Sequence, residues 1–598
     1  MKGGRTIPKE QIILLIICGV AFALLGFVAY MGGNHNLNIK SKTVGDGQHG
    51  SARWATLREI EQTFHNTIFV SPLWRRGEAL PAEQGIVVGC TGSKKRVVAQ
   101  VDTGDVHALM IGAAGIGKTA YFLLPNLEYA CASGVSFVCT DTKGDLYRQF
   151  APVARDKYGY AVSVLDLRNP TQSDGFNMMH LISKYSDEYA ATGKLSAKAK
   201  AERYAKITAK TIVSSGEESV NHGQNAYFYE AAEGIITAIL LLVAELCPPE
   251  QRHIVSVFKL LQDLQAPVKD PQNRTLFQII MSRLPSDHKA RWFSGAALNS
   301  SAQGMASVLS TAMSKLNGFI DSDVEQMLCF DTAIDAERFV SRKSAVFIVL
   351  PEENPTVFFL VSLIIQQFYR ELLSVADERG GKLPGRAIFF LDEFGSFPKI
   401  SSAEVMFSAG RSRRISIVAI IQSMYQLEQN YGREGAAIIA DNCQLTIYGG
   451  FAPGSDLAQT LSKSLGDVTV QAGSVSKGKG DGSRTLQMTG RPLITPDELR
   501  ALPRGRFIVT KTGAYPMQTT MRLFSEWGIR LDESWQLPQS EPRAVAYADR
   551  VELERAIAAK YAPAAASEKP TRKPPIPKSD LVAPQKFAGD EDGDDFED

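Results

Sequence analysis

Disulfide and zinc signatures are missing from this chain of 598 residues. Its seven cysteines, Cys18, Cys90, Cys131, Cys139, Cys247, Cys329 and Cys443, are scattered, and no two share a C-x-x-C spacing. That excludes a disulfide framework and a cysteine-held zinc centre, and fits a main body in the cytosol. Net charge is missing too: 65 Lys+Arg stand against 64 Asp+Glu, so any nucleic-acid contact must come from a local patch and not a global field. Locally, no charged residue occurs from Ile12 to Met31. Such a run matches the ~20 residues of a membrane-crossing helix, exceeds the ~7–15 of a secretory signal, and is followed by no clean small-x-small cleavage site. A single N-terminal transmembrane helix is expected. Lys2, Arg5 and Lys9 before it balance Lys40, Lys42 and Arg53 after it, so the positive-inside rule does not orient it.

What is present begins with Val106-His-Ala-Leu-Met-Ile111, an apolar run of buried-strand length. It feeds into Gly112-Ala-Ala-Gly115-Ile-Gly117-Lys118-Thr119 and then into helix-compatible residues. This is a complete Walker A motif. Its glycines let backbone N–H groups close around phosphates, Lys118 brings a point charge to the β/γ oxygens, and the Thr119 hydroxyl suits Mg²⁺. ATP and Mg²⁺ are therefore the expected ligands, and ATP chemistry places the downstream side of the membrane helix in the cytoplasm. The partner acid should end another buried strand, and Ala387-Ile-Phe-Phe-Leu391-Asp392-Glu393 fits, with Asp392 on the magnesium shell and Glu393 orienting the attacking water. Asp141, after Val135-Ser-Phe-Val-Cys-Thr140, is a second candidate, but no Glu follows it and a turn near the phosphates reads better. Farther on, Arg411 precedes the apolar run Ile415 to Ile421 and Gln422 follows it. A Gln at the carboxyl end of a core strand faces the ligand crevice of an open α/β sheet, and Arg411 is a candidate arginine finger, in cis or in trans.

About 274 residues separate Lys118 from Asp392, well beyond what a bare parallel-sheet core built of ~30-residue βαβ units needs. From 178 to 317 the pattern is helical, with Ala226–Leu246, His253–Leu264 and Ala296–Leu316 as separate helices and no strand-like run. The expected organisation is a stub and membrane helix (1–33), the first part of a nucleotide-binding domain (34–177), an all-α domain (178–317), the second part of the nucleotide-binding domain (318–536) and a mostly disordered, acid-ended tail (537–598) in which Val551–Tyr561 suits one helix. Lys194, Lys198, Lys200, Arg203, Lys206 and Lys210 cluster near the start of the insertion, either a DNA-phosphate patch or a solvated helix face. Strand signals at Gln444–Tyr448 and Phe507–Thr510 read as the far edge of the sheet, and Gly473–Gly482 as a loop.

In order and spacing, these segments resemble the type IV secretion coupling proteins, the TraG/TraD-like conjugative DNA-transfer ATPases. The resemblance runs from about His49 to Trp527. It is carried by His49-Gly-Ser-Ala-Arg-Trp-Ala55, the Walker A motif, Asp141-Thr-Lys-Gly-Asp-Leu146, Leu391-Asp-Glu-Phe394, Gly410-Arg-Ser412, Gln422-Ser423, Asp441-Asn-Cys443 and Thr495-Pro-Asp-Glu-Leu499. It implies an α/β, RecA-like P-loop core with an inserted all-α domain. It also implies a membrane-anchored homo-hexamer that receives a relaxase–DNA complex, binds DNA without sequence preference and hands it to a type IV secretion channel. Gln422 and Arg411 fall where the family carries its phosphate sensor and arginine finger. Two departures stand out: one membrane helix where members commonly carry two, and Thr142 where Pro is usual. Two rival functions remain open, a chromosome-partition-type DNA translocase and a non-hydrolysing substrate receptor.

Overall fold

The computed structural model describes residues 47–565 apart from 94–95, 215–225, 267, 272–273, 352–353, 355–356, 477–482, 532–533 and 539–540. It also describes 42–43 and single residues of the N-terminal stretch. The expected membrane helix lies mostly outside the described residues; Ile13, Ile16, Ile17, Val20 and Leu24 within it are helical and exposed. Two later helices, Ala226–Leu246 and Phe359–Glu378, are also long and apolar enough to cross a membrane, but most of each is buried in protein.

In chain order the strands are β1 (Lys42–Thr43), β2 (His65–Phe69), β3 (Ile86–Ser93), β4 (Arg96–Asp102) and β5 (Ala108–Ile111). They continue with β6 (Ser136–Asp141), β7 (Ala161–Asp166), β8 (Ser344–Val349), β9 (Ala387–Leu391) and β10 (Ile415–Ile421). The last are β11 (Leu445–Tyr448), β12 (Asp467–Ser476), β13 (Ser483–Pro492), β14 (Arg506–Lys511) and β15 (Met517–Thr520). Twelve form one mixed sheet in the order β2-β4-β3-β15-β14-β11-β5-β10-β9-β6-β8-β7. From β11 to β7 every pairing is parallel, and from β14 outward every pairing is antiparallel.

The parallel strands read as unbroken apolar runs because both faces are covered. Alternate residues serve different cores: Leu109, Ile111, Ile417, Ala419 and Ile421 face the layer that holds the inserted helices, whereas Ala108, Met110, Val418 and Ile420 face the helices of the opposite layer. Among the described residues, every element between β7 and β8 is helical. Ala226–Leu246 forms as one helix. The stretch Ala296–Leu316 does not: Gly295–Leu298 ends, and Ser301 caps a new helix, Ala302–Leu316, by accepting the Gly304 N–H.

Three expectations change. Strands β11 and β14 are not the far edge of the sheet; β11 pairs directly with β5, and the sheet continues past β14 through β15, β3, β4 and β2. The segment read as a loop from Gly473 is partly strand, since β12 runs to Ser476 and pairs along its length with β13; residues 477–482 lie outside the described residues. The tail is shorter than expected. Ala548, Leu553 and Ile557 are buried against the inserted helices, with Leu553 and Ile557 one turn apart on the helix Arg550–Ala565. Tyr547 donates to Glu325 at 2.7 Å, Arg283 pairs with Glu554 at 2.7 Å, and Lys560 pairs with Glu245 at 2.8 Å. Acid-rich residues 566–598 lie outside the described residues. The basic run of the insertion lies on the surface: Lys194, Arg203, Lys206 and Lys210 are exposed, Lys200 and Arg203 both pair with Glu378, at 2.8 and 2.9 Å, and Lys198 and Lys206 lie over the rings of Tyr189 and Phe293. It is an exposed helix face with part of its charge paired locally.

Candidate active site

Parallel strands present their carboxyl ends on one edge of the sheet, and loops that leave there form the crevice. Strand β5 leads into the loop Gly112–Lys118, and Thr119 opens a helical segment that continues as Leu124–Ala132. The glycines are required by geometry. Gly115 and Gly117 hold φ of +77° and +86°, and a Cβ on Gly112 would lie 2.3 Å from the Gly449 carbonyl oxygen. That crowding comes from the turn after β11, where the Gly450 carbonyl accepts the Ala113 N–H at 2.9 Å. Gly449 and Gly450 therefore clamp the phosphate loop, a role marked in the sequence only by two consecutive glycines after a strand.

Strand β9 ends at Leu391 and delivers Asp392 and Glu393; β10 lies between β5 and β9 and delivers Gln422. Three adjacent strands thus bring together residues far apart in sequence. Thr119 Oγ1 donates to Asp392 Oδ2 at 3.3 Å. Lys118 is buried; its Nζ donates to the Gly112 carbonyl at 2.9 Å and lies 3.8 Å from Glu393 Oε1. Gln422 Nε2 donates to the other Glu393 oxygen at 2.9 Å. Glu393 adopts a left-handed backbone, φ 56° and ψ 35°, a conformation that costs a non-glycine residue about 1–3 kcal/mol and concentrates at functional sites. Burial, then the neighbouring Glu393, pushes the Asp392 carboxyl up to about 6, against the opposing pull of Lys118 and the Thr119 hydrogen bond.

Asp141 is a turn residue. At the end of β6 its carboxylate accepts the backbone N–H groups of Lys143, Gly144 and Tyr147, while burial raises its pKa. Its neighbour Thr140 reaches the site instead, donating to the Asp392 carbonyl at 3.0 Å. At Thr142, where proline is usual in the family the sequence resembles, the carbonyl accepts from Arg168 at 2.8 Å, which braces the turn by another route.

Arg411 is not brought to this crevice. It lies at the amino end of β10, and Gln422 lies at the carboxyl end; a strand of this length, at ~3.3 Å per residue, separates them by roughly 20 Å. A cis role is thereby excluded within one subunit. Arg411 is exposed and close enough to His107, the buried residue before β5, to depress its basicity. Beside the phosphate loop, a cavity of about 450 Å³ is lined by Ala113, Ile116, Phe451, Arg500, Arg504 and Phe507, among others. Sequence reasoning had no signal for it, because it joins the β5, β11 and β14 ends.

Comparison with known proteins agrees with this fold. A family model described as type IV secretory system conjugative DNA transfer matches residues 76–550. A probable conjugal transfer protein TraG of Sinorhizobium fredii is 22% identical over 79% of this chain and 71% of its own length. The type IV secretion system-coupling protein VirD4 of Bartonella henselae is 21% identical over 81% of this chain and 74% of its own. Among solved structures, the plasmid coupling protein TrwB in complex with the non-hydrolysable ATP analogue ADPNP superposes with a TM-score of 0.53 at 15% identity, covering 83% of this chain and 100% of that one.

Proposed function

Because the chain belongs to the type IV secretory system conjugative DNA-transfer family, we propose that it is the coupling ATPase of such a system, hydrolysing ATP to drive DNA into the secretion channel. The observation that supports this reading most is the hydrogen-bonded convergence of Lys118, Thr119, Asp392, Glu393 and Gln422 at one edge of the sheet. The solved TrwB relative is described with an ATP analogue, and a triphosphate suits the loop here. The amides of Gly112–Thr119 and the Lys118 ammonium surround its anionic oxygens, and Glu393 orients the water for attack on the γ-phosphorus. Gln422 holds the Glu393 carboxylate and is placed to register whether a γ-phosphate is present. Thr119 Oγ1 and Asp392 Oδ2 are hard oxygen donors only 3.3 Å apart and suit Mg²⁺. Mg²⁺, held by these two residues, would supply neutralisation of the triphosphate's charge.

Arg411 in this reading serves the site of a neighbouring subunit, which requires a ring, and a homo-hexamer is the assembly proposed. Residues 178–317 form the all-α domain that meets the relaxase–DNA substrate, and the N-terminal apolar helix anchors the ring to the cytoplasmic membrane with the catalytic part inside. The test is Lys118→Ala in the full chain. ATP hydrolysis and element transfer are expected to fall below 1% of wild type while the protein stays in the membrane fraction. Transfer at normal frequency would refute the motor reading.

A further inference from the structure

The helical segment Met424–Asn442 begins two residues after Gln422 and is interrupted at Gly432, whose φ of 71° and ψ of 169° are not helical. A Cβ at Gly432 would meet nothing within 4 Å, so crowding does not force the break; glycine permits it. The portion before the break is tied to the catalytic loop at both ends. Gln426 Oε1 accepts the Gln422 N–H at 3.2 Å, and Ser423 caps the first turn. At the other end Asn430 Nδ2 donates to the carbonyls of Gly395, at 2.7 Å, and Phe397, at 2.9 Å, and Tyr431 stacks on Phe394 with ring centroids 5.7 Å apart. Gly395 packs so closely on Gln426 that a Cβ there would lie 2.9 Å from it. Residues 393–397 and 422–431 are therefore one body: whatever displaces Glu393 or Gln422 carries the short helix with it, and Gly432 is where the chain can bend.

On this body sits Tyr425, 72% exposed, the most exposed aromatic among the described residues. It has no hydrogen-bond or ring partner there, whereas exposed Trp292 is engaged by Lys289 and by the Ser286 carbonyl. Arg433 is exposed just past the break. An unpartnered aromatic face suits a nucleic-acid base, and such stacking tolerates any sequence. Resting on the motor reading above, we propose that Met424–Tyr431 is the lever of the motor and that Tyr425 is its contact with single-stranded nucleic acid. Loss or gain of the γ-phosphate at Glu393 and Gln422 then moves the stacked base directly, with two residues between sensor and contact.

The experiment titrates full-length protein in detergent with an oligodeoxythymidine and reads the concentration that half-saturates the stimulation of ATP hydrolysis, a quantity independent of the unstimulated rate. Wild type, Tyr425→Phe and Tyr425→Ser are compared at equal hexamer content. Stacking predicts that Phe stays within about twofold of wild type and that Ser raises the half-saturating concentration at least about fivefold. Gly432→Ala, which keeps the ring but opposes the left-handed bend, is expected to keep half-saturation and lose most of the stimulation. Equal half-saturation for Ser and wild type, or an equal rise for Phe and Ser, overturns the proposal. A wild type that no oligonucleotide stimulates overturns the motor reading itself, a different result from either.

Discussion

Acidification singles out His107. The residue is fully buried, accepts the Ile417 N–H on Nδ1 at 2.9 Å, and packs against Phe407 with ring centroids 5.3 Å apart. Burial first, and then the Arg411 guanidinium, lowers its pKa from the ordinary 6.5 to about 4. Between those values the unfolded chain takes up a proton that the folded chain refuses, so stability is unaffected above about pH 6.5 and is lost as pH falls toward 4. With those two constants the loss is negligible at pH 7, about 2 kcal/mol at pH 5 and about 3 kcal/mol at pH 4. The assay is urea unfolding of the full chain at pH 7 and pH 5, wild type against His107→Gln, which keeps an acceptor for Ile417 but does not titrate. Other histidines cancel in the double difference. Wild type is expected to lose about 2 kcal/mol more than the variant between the two pH values, and Arg411→Ala is expected to shrink that loss. Equal slopes in wild type and His107→Gln would refute both the burial of the imidazole and the placement of Arg411 beside it.

Further outcomes follow from the same contacts. Gln422→Ala is expected to bind ATP as wild type does and to hydrolyse it about 10²-fold more slowly, because Glu393 loses the 2.9 Å bond that orients it; unchanged single-turnover rates would contradict this. A trans role for Arg411 predicts that Arg411→Ala and Lys118→Ala proteins, each inactive alone, recover part of the ATPase when mixed, since some interfaces then pair an intact arginine with an intact loop; no recovery in exchanging hexamers would exclude it. Glu128 is fully buried and accepts from Ser71, from Tyr158 and bidentately from Arg75, at 2.6 to 2.9 Å. Glu128→Gln leaves Arg75 facing a new donor and should cost about 3 kcal/mol in chemical unfolding without altering nucleotide affinity.

The phosphate loop was legible because its requirements are local: consecutive residues close around one anion, so glycine spacing, Lys118 and Thr119 carry the whole signal. Asp392, Glu393 and Gln422 were legible for a related reason, each following an unbroken apolar strand that a doubly covered parallel sheet demands. The opposite placement of Arg411 was also written in the sequence, since it precedes the strand that Gln422 follows, and a parallel strand carries its two ends to opposite edges of the sheet. Strand order was not legible. Nothing in Leu445–Tyr448 shows that it pairs with β5, because hydrogen-bond partners in a ladder are chosen by the whole sheet. The β12–β13 hairpin was hidden by glycine and serine, which weaken a strand pattern without preventing backbone pairing. A helix over Val551–Tyr561 was legible and forms as Arg550–Ala565; its packing was not, because only Leu553 and Ile557 mark a buried face.

Strand β10 gives the proposed ring a physical means of passing information between sites. Its Ile415–Ile421 residues are all buried and are hydrogen-bonded on both sides, to β5 and to β9, so the strand resists bending and shifts with its neighbours. At one end Gln422 touches the Glu393 of its own subunit; at the other, Arg411 is offered, under the trans assignment, to the triphosphate next door. His107 ties that second end to β5 through the Ile417 N–H, and β5 runs into the phosphate loop. A change at either nucleotide therefore meets a stiff element that also borders the other. The expected signature is cooperative ATP hydrolysis with a Hill coefficient above 1 that falls toward 1 in His107→Ala, which removes the acceptor for the Ile417 N–H, while the ring stays assembled. A coefficient unchanged by that substitution would mean that the coupling runs through the subunit interface alone and that β10 takes no part in it.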